Sequence, residues 1–187
     1  MIISRVLQGL GNQFFQYAFG RAVAIRNSTQ LKLDTSFYEN SEVTQHGYTV
    51  KRDFELPRYN VQLNEASADE IALFKGKQIP SLLQRAEFKL FPAHRPRVIE
   101  EDLSTFSPEL NKLKGNLYLG GYFSSEEFFK DHADTIRKEF TLKNSMSTEN
   151  EEWAEKIRSC NSVCISLRLK DFLHYPLHNV CSLEYYY

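Results

Sequence analysis

Five residues near the start of the chain, Gly9-Leu10-Gly11-Asn12-Gln13, join two glycines to two side-chain amides. Glycines between a strand and a helix let the backbone turn tightly and approach a phosphate, whose oxygens then meet the free N–H groups of the helix N-terminus. The spacing here is Gly9-x-Gly11-x-x-Phe14, so the third glycine of a dinucleotide fingerprint is replaced by an aromatic residue. That glycine normally lets helix and strand pack closely, and Phe14 argues against the usual geometry. Asp34 lies near the end of the next strand, where an acidic residue would hold a ribose, so an NAD-dependent oxidoreductase is one reading of the pattern. A tight turn whose glycines serve only the backbone is another. Asn12 and Gln13 offer donors and acceptors together, which suits sugar hydroxyls and phosphate oxygens, and either can equally cap the helix.

Other chemistry-bearing residues are fewer. His174 and His178 are four apart, but Pro176 between them disfavours the helix that would turn both toward a metal, and a solvated loop is expected. Asp53 fits a turn as well as a cleft. Cys160, Cys164 and Cys181 are odd in number and clustered late, which suits neither a disulfide framework nor a zinc site, so buried free thiols in a reducing compartment are expected.

The composition narrows the partners. Among 187 residues, 23 basic and 24 acidic side chains leave a net charge of −1, so no global field draws the chain to nucleic acid or to an anionic membrane. An anionic ligand must be held by local groups. The apolar run at Met1–Leu7 is too short for a signal peptide and is interrupted by Arg5, and no window of the chain is apolar enough to cross a bilayer.

The elements that position these residues are legible in part. Residues 2–7 form a β-prone run, and apolar positions 15, 18, 19, 22 and 23 make a helical stripe. Leu31 and Leu33 alternate around Lys32 as in a half-buried strand. Strand, glycine turn, helix and strand make a βαβ unit, the entry to a parallel α/β sheet. Ser67 with Glu70, and Ser124 with Glu127, read as capping boxes, the second opening a helix with Phe128, His132, Ile136 and Phe140 at four-residue spacing. Between them Pro80, Pro92, Pro96 and Pro108 break up any long element. Residues 116–123 read as a strand ending in a Gly-Gly turn, and 141–152 as a polar linker. Thr148 and Glu151 cap a helix carrying Trp153 and Ile157. In the following strand Val163, Ile165, Leu167 and Leu169 share one face, Ser166 and Arg168 the other.

The stretch GLGNQFFQYAFGRAVA followed by LKLDTSFY resembles the opening of the bacterial α-1,2-fucosyltransferases. The resemblance recurs in order at GGYFSSEEFF, at IRKEF, at VCISLRLKDF and at HNVCSLEYY, and so spans nearly the whole chain. It implies transfer of L-fucose from GDP-fucose to the 2-hydroxyl of a galactoside, with inversion and with no cofactor or metal required. Surface-polysaccharide synthesis in the cytoplasm, at most peripheral to the inner membrane, is the implied setting. Its implied fold is α/β, a Rossmann-like N-terminal lobe facing a second lobe across a cleft in a GT-B-like arrangement. Residues 1–145 then form the first lobe, and 146–187 only the start of the nucleotide-sugar lobe.

The family's second motif, His-x-Arg-Arg-x-Asp, falls on Ser166, Leu167, Arg168, Leu169, Lys170 and Asp171, where the first Arg and the Asp match while Ser166 and Leu169 depart. The resemblance therefore makes Arg168 the catalytic residue, gripping the diphosphate as GDP leaves. Asp171 holds Arg168 or its loop, and Gly9, Gly11, Asn12 and Gln13 contact donor or acceptor. The chain stops soon after this motif, so the remainder of the second lobe is expected to be missing or supplied by another chain. An inactive truncated lobe and a sugar-binding remnant stand beside the oxidoreductase as alternatives.

Overall fold

A computed structural model describes residues 1–40, 42–45, 48–76, 78–101 and 107–165. In chain order these form β1 (Ile2–Arg5), α1 (Leu10–Arg26), β2 (Leu31–Asp34), β3 (Glu42–Gln45), β4 (Tyr48–Lys51), α2 (Ala68–Phe74), α3 (Leu82–Leu90), β5 (Arg97–Glu100), β6 (Leu117–Gly120), α4 (Ala133–Glu139) and α5 (Thr148–Arg158). The chain divides into two units. One comprises residues 1–40 and 53–143, the other 41–52 and 144–187.

The first unit carries the α/β architecture. Its sheet has the order β2-β1-β6-β5 and is parallel throughout, with Ile2 opposite both Leu31 and Leu117, and Arg97 opposite Leu117. This is the parallel α/β sheet expected from the opening βαβ unit, and it is compatible with a Rossmann-like lobe. Alternation sorts the strand residues between two faces. Ile2, Val6, Leu31, Leu33, Leu117 and Leu119 join Tyr17, Phe19 and Val23 of α1 in one buried cluster, while Ile3 and Tyr118 join Phe74 of α2 in a second.

Helix α1 is buried on more than the expected stripe, because Gln13, Gln16, Tyr17, Gly20 and Ala24 are buried too. The second enclosing wall is the 126–140 segment. Phe128 packs on Phe19, Arg26 donates to the Phe128 carbonyl at 2.9 Å, and Glu139 accepts from the Tyr17 hydroxyl at 2.7 Å and from Arg21 Nε at 2.9 Å. This anchoring replaces the continuous helix expected from Ser124 onward. Two 3₁₀ turns at 126–132 precede the short α4, and Ser125, not Ser124, accepts from the Glu127 N–H. The Ser67–Glu70 capping box forms as expected, and Ser147 rather than Thr148 caps α5.

Close approach of helix to strand, which the missing third glycine would have provided, occurs six residues further on, at Gly20. A Cβ added to Gly20 would stand 2.7 Å from the Ser4 Cβ and 2.9 Å from Leu31 Cδ1. Gly20→Ala gains about 1 kcal/mol of helix propensity but incurs overpacking of about 1–3 kcal/mol, chiefly against Ser4 Cβ, which is fixed close to the β1 backbone. A net loss of up to about 2 kcal/mol in urea unfolding is expected despite the better helix former.

The second unit contains the antiparallel pair β3–β4, with Val43 opposite Val50, and helix α5. Cys160 and Cys164 are exposed free thiols, which corrects the expectation of burial for these two, and Cys181 lies outside the described residues. Among the described residues no helix is long and apolar enough to cross a membrane.

Candidate functional site

In an open parallel sheet, ligands bind outside the carboxyl ends of the strands where the chain order reverses. Here that point lies between β1 and β6, since the chain leaves β1 toward β2 on one side and β6 fills the other. The glycine loop leaves β1 at this point, and the Gly120-Gly121 turn leaves β6 beside it.

The loop is held by an inward-facing network. Val6 N–H donates to the Asp34 carbonyl at 3.0 Å, and Leu7 N–H donates to Gln16 Oε1 at 2.9 Å. Gln8 adopts a left-handed conformation, with φ of 68°, and its carbonyl accepts from both Gln13 Nε2 and the Tyr38 hydroxyl at 3.0 Å. Gln13 Nε2 also donates to the Asp53 carbonyl at 2.8 Å, and Gln13 Oε1 accepts from the Glu55 N–H at 2.9 Å. With 0% of its surface exposed and its amide occupied on both sides, Gln13 fastens the loop to residues 53–55. The expectation that it touches a ligand is corrected on that ground, because a fully buried amide already bonded to the protein has nothing to offer outward.

What the loop presents outward is the start of α1. Gly9 is the N-cap, in an extended conformation with no side-chain cap, and the first turn carries no acidic residue. The N–H groups of Leu10, Gly11 and Asn12 therefore have no intrahelical acceptor, and no acidic residue of the first turn offsets the positive end of this 17-residue helix. Nothing lies within 4 Å of where a Cβ would stand on Gly9 or Gly11, and the latter is exposed. Asn12 is half-buried. These three expected residues thus come together as one patch of donors.

The facing turn after β6 is braced as firmly. Glu101 accepts from the Tyr122 and Phe123 N–H groups at 2.6 and 2.7 Å, and Phe123 is held at φ of 50°. Gly121 has φ of 152°, and a Cβ there would come within 2.4 Å of the Glu101 Cβ, so no other residue fits. Gln16 ties the two loops, accepting from Leu7 and donating from Nε2 to the Gly121 carbonyl at 3.1 Å. Sequence reasoning missed Gln16, Glu101 and Gly121 as parts of the site. The signals were the Gly120-Gly121 turn after a β-prone run and the polar Gln16 within a largely apolar helix.

Asp34 does not face the crevice. It is fully buried, accepts from the Tyr118 hydroxyl at 2.5 Å and from the Ser36 N–H at 3.0 Å, and lies 3.4 Å from the Lys75 ammonium. A ribose cannot reach it, which removes the acidic residue that the oxidoreductase reading needed. Burial alone would raise its pKa, but the hydrogen bonds from Ser36 and Tyr118 and the charge of Lys75 outweigh that and hold it below the ordinary aspartate value. A carboxylate with a depressed folded pKa stabilises the fold above the unfolded value of about 3.9, and this contribution fades as pH falls through the folded one. Asp34→Asn is expected to make stability in urea less dependent on pH below about pH 4 while lowering it at neutral pH.

Arg168 and Asp171 lie outside the described residues, as do Ser166, Leu169, Lys170, His174 and His178.

No known family's profile matches the chain, and no solved structure matches it. Among curated proteins it is similar to an alpha-1,2-colitosyltransferase of Escherichia coli, with 29% identity over 192 residues. The match covers all of this chain and 61% of that protein, so the chain spans about three fifths of its relative's length. The likeness is thus to an enzyme named for sugar transfer, and it runs along the whole of this chain.

Proposed function

We propose that this chain belongs to an inverting α-1,2-glycosyltransferase that moves L-fucose from GDP-fucose to the 2-hydroxyl of a galactose-terminated acceptor. The observation that carries the reading is the uncapped, uncharged start of α1 at the point where the sheet's chain order reverses. It occurs in a chain similar along its whole length to an α-1,2-specific sugar transferase.

In this reading the N–H groups after Gly9 face oxygens of the donor phosphate or of the acceptor sugar, and the missing side chains of Gly9 and Gly11 give those oxygens room. The Asn12 amide both donates and accepts, as sugar hydroxyls require. Gln13 and Gln16 hold the loop in place from beneath. As the acceptor hydroxyl oxygen attacks the anomeric carbon and its proton passes to solvent, the bond to GDP breaks and negative charge gathers on the diphosphate. The Arg168 guanidinium meets that charge bidentately, with Asp171 holding Arg168. No cofactor is needed for this displacement, and the rest of the second lobe completes the cleft.

A second reading changes only the donor. The relative is named for colitose, which is L-fucose without its 3-hydroxyl. The two donors therefore differ by one oxygen. A site that hydrogen-bonds the 3-hydroxyl rejects the deoxy sugar strongly, whereas a site with an apolar wall there discriminates far less. Transfer assays with GDP-fucose and GDP-colitose on a galactoside, followed by linkage analysis of the product, separate them. A 1→2 product from either donor supports transfer. Hydrolysis or no product from both contradicts it.

A further inference from the structure

Helix α3 is built unlike the other helices of its unit. It buries none of its residues, yet a complete Ser81–Gln84 capping box fixes its start. Nine residues are too few for a helix to be stable on its own in water, so packing of its apolar side should supply what propensity cannot. That side faces outward. Leu82, Leu83 and Leu90 are 81%, 84% and 73% exposed, and Ile79 before the helix and Phe91 after it are 88% and 56% exposed. Leu82, Leu83, Ala86 and Leu90 fall on one face at helical spacing, a stripe that water disfavours.

Its flank is cationic. Arg85, Lys89 and Arg95 are exposed, make no ion pair among the described residues, and line a cleft of about 660 Å³ together with Phe88. The one acid on the helix, Glu87, is taken by His94 Nδ1 at 2.8 Å. A leucine stripe bordered by unpaired cations matches an anionic bilayer, whose acyl region takes the leucines while its phosphates take the cations. A second copy of this chain fits less well. A two-fold contact through this face would bring both sets of cations together as the leucines desolvate them.

We propose that α3 and its flanks dock this unit on an anionic phospholipid surface, with the leucine face in the interface and Arg85, Lys89 and Arg95 on lipid phosphates. This inference does not depend on the transferase reading.

Sedimentation with phospholipid vesicles tests it, using the whole chain. Binding is expected with vesicles of phosphatidylcholine and phosphatidylglycerol in equal parts, weakening steeply with added salt, and not with phosphatidylcholine alone. The Arg85→Gln, Lys89→Gln, Arg95→Gln triple variant is expected to bind about a hundredfold more weakly, and Leu82→Glu with Leu83→Glu to abolish binding. Because no α3 residue is buried, these variants keep the wild-type circular dichroism and melting profile. Equal partition onto both vesicles, or none onto either, overturns the proposal. So does a dimer by light scattering that Leu83→Glu returns to monomer, since the leucine face is then covered by a second copy.

Discussion

Replacing Arg168 with alanine is expected to slow sugar transfer about 10²–10³-fold, equivalent to about 3–4 kcal/mol of barrier. The charge on a departing diphosphate grows as the bond to the sugar breaks, so a guanidinium that grips it binds the transition state more tightly than the ground state. The loss should therefore fall on kcat with donor carried along, while the KM for acceptor changes little. Arg168→Lys keeps the positive charge and loses the two-pronged geometry, and an intermediate rate is expected. Steady-state kinetics with the two variants checks this. A rate within about threefold of wild type for Arg168→Ala would assign Arg168 a surface role, since loss of a single group that stabilises developing charge costs much more.

The second large effect is on stability. Gln13→Leu is expected to cost about 2–4 kcal/mol, because it removes a buried amide that bonds the Gln8 and Asp53 carbonyls and the Glu55 N–H together. Leucine matches the volume of the side chain, so the loss measures the hydrogen bonds and not a cavity. Asn12→Ala, one residue earlier and half-buried, should leave the unfolding free energy within about 0.5 kcal/mol while weakening ligand binding. Urea unfolding of the two variants separates the adjacent amides into one that holds the loop and one that serves the ligand. Equal destabilisation by both would contradict that division.

The division also shows what the sequence could and could not reveal. The opening βαβ unit was legible because strand alternation, a glycine turn and helical periodicity are local signals, and all agree over residues 2–34. The Ser67–Glu70 box was legible for the same reason. Ser81 and Gln84 carry the same signature, but Pro80 and Pro92 on either side read as breakers and hid α3. Strand β5 is four residues long, follows Pro96 and lies at the sheet edge, so neither length nor alternation marked it. The helix expected from residue 124 was undone from a distance, since Arg26 takes the Phe128 carbonyl and Asp131 across more than 100 residues of chain. In the site itself the glycines were visible, while the Gln16–Gly121 bond joins residues 105 apart and no local pattern announces it. The burial of Gln13 was hidden likewise, because its partners at 53 and 55 are fixed only by the fold.

The central claim is that the glycine loop of this chain faces a nucleotide sugar. Calorimetric titration with GDP-fucose, GDP-colitose and NAD, repeated on Arg168→Ala and Asn12→Ala, tests it most directly. Binding of at least one GDP-sugar, weakened by both substitutions, is expected, with none of NAD. Binding of NAD with no affinity for either GDP-sugar would contradict it.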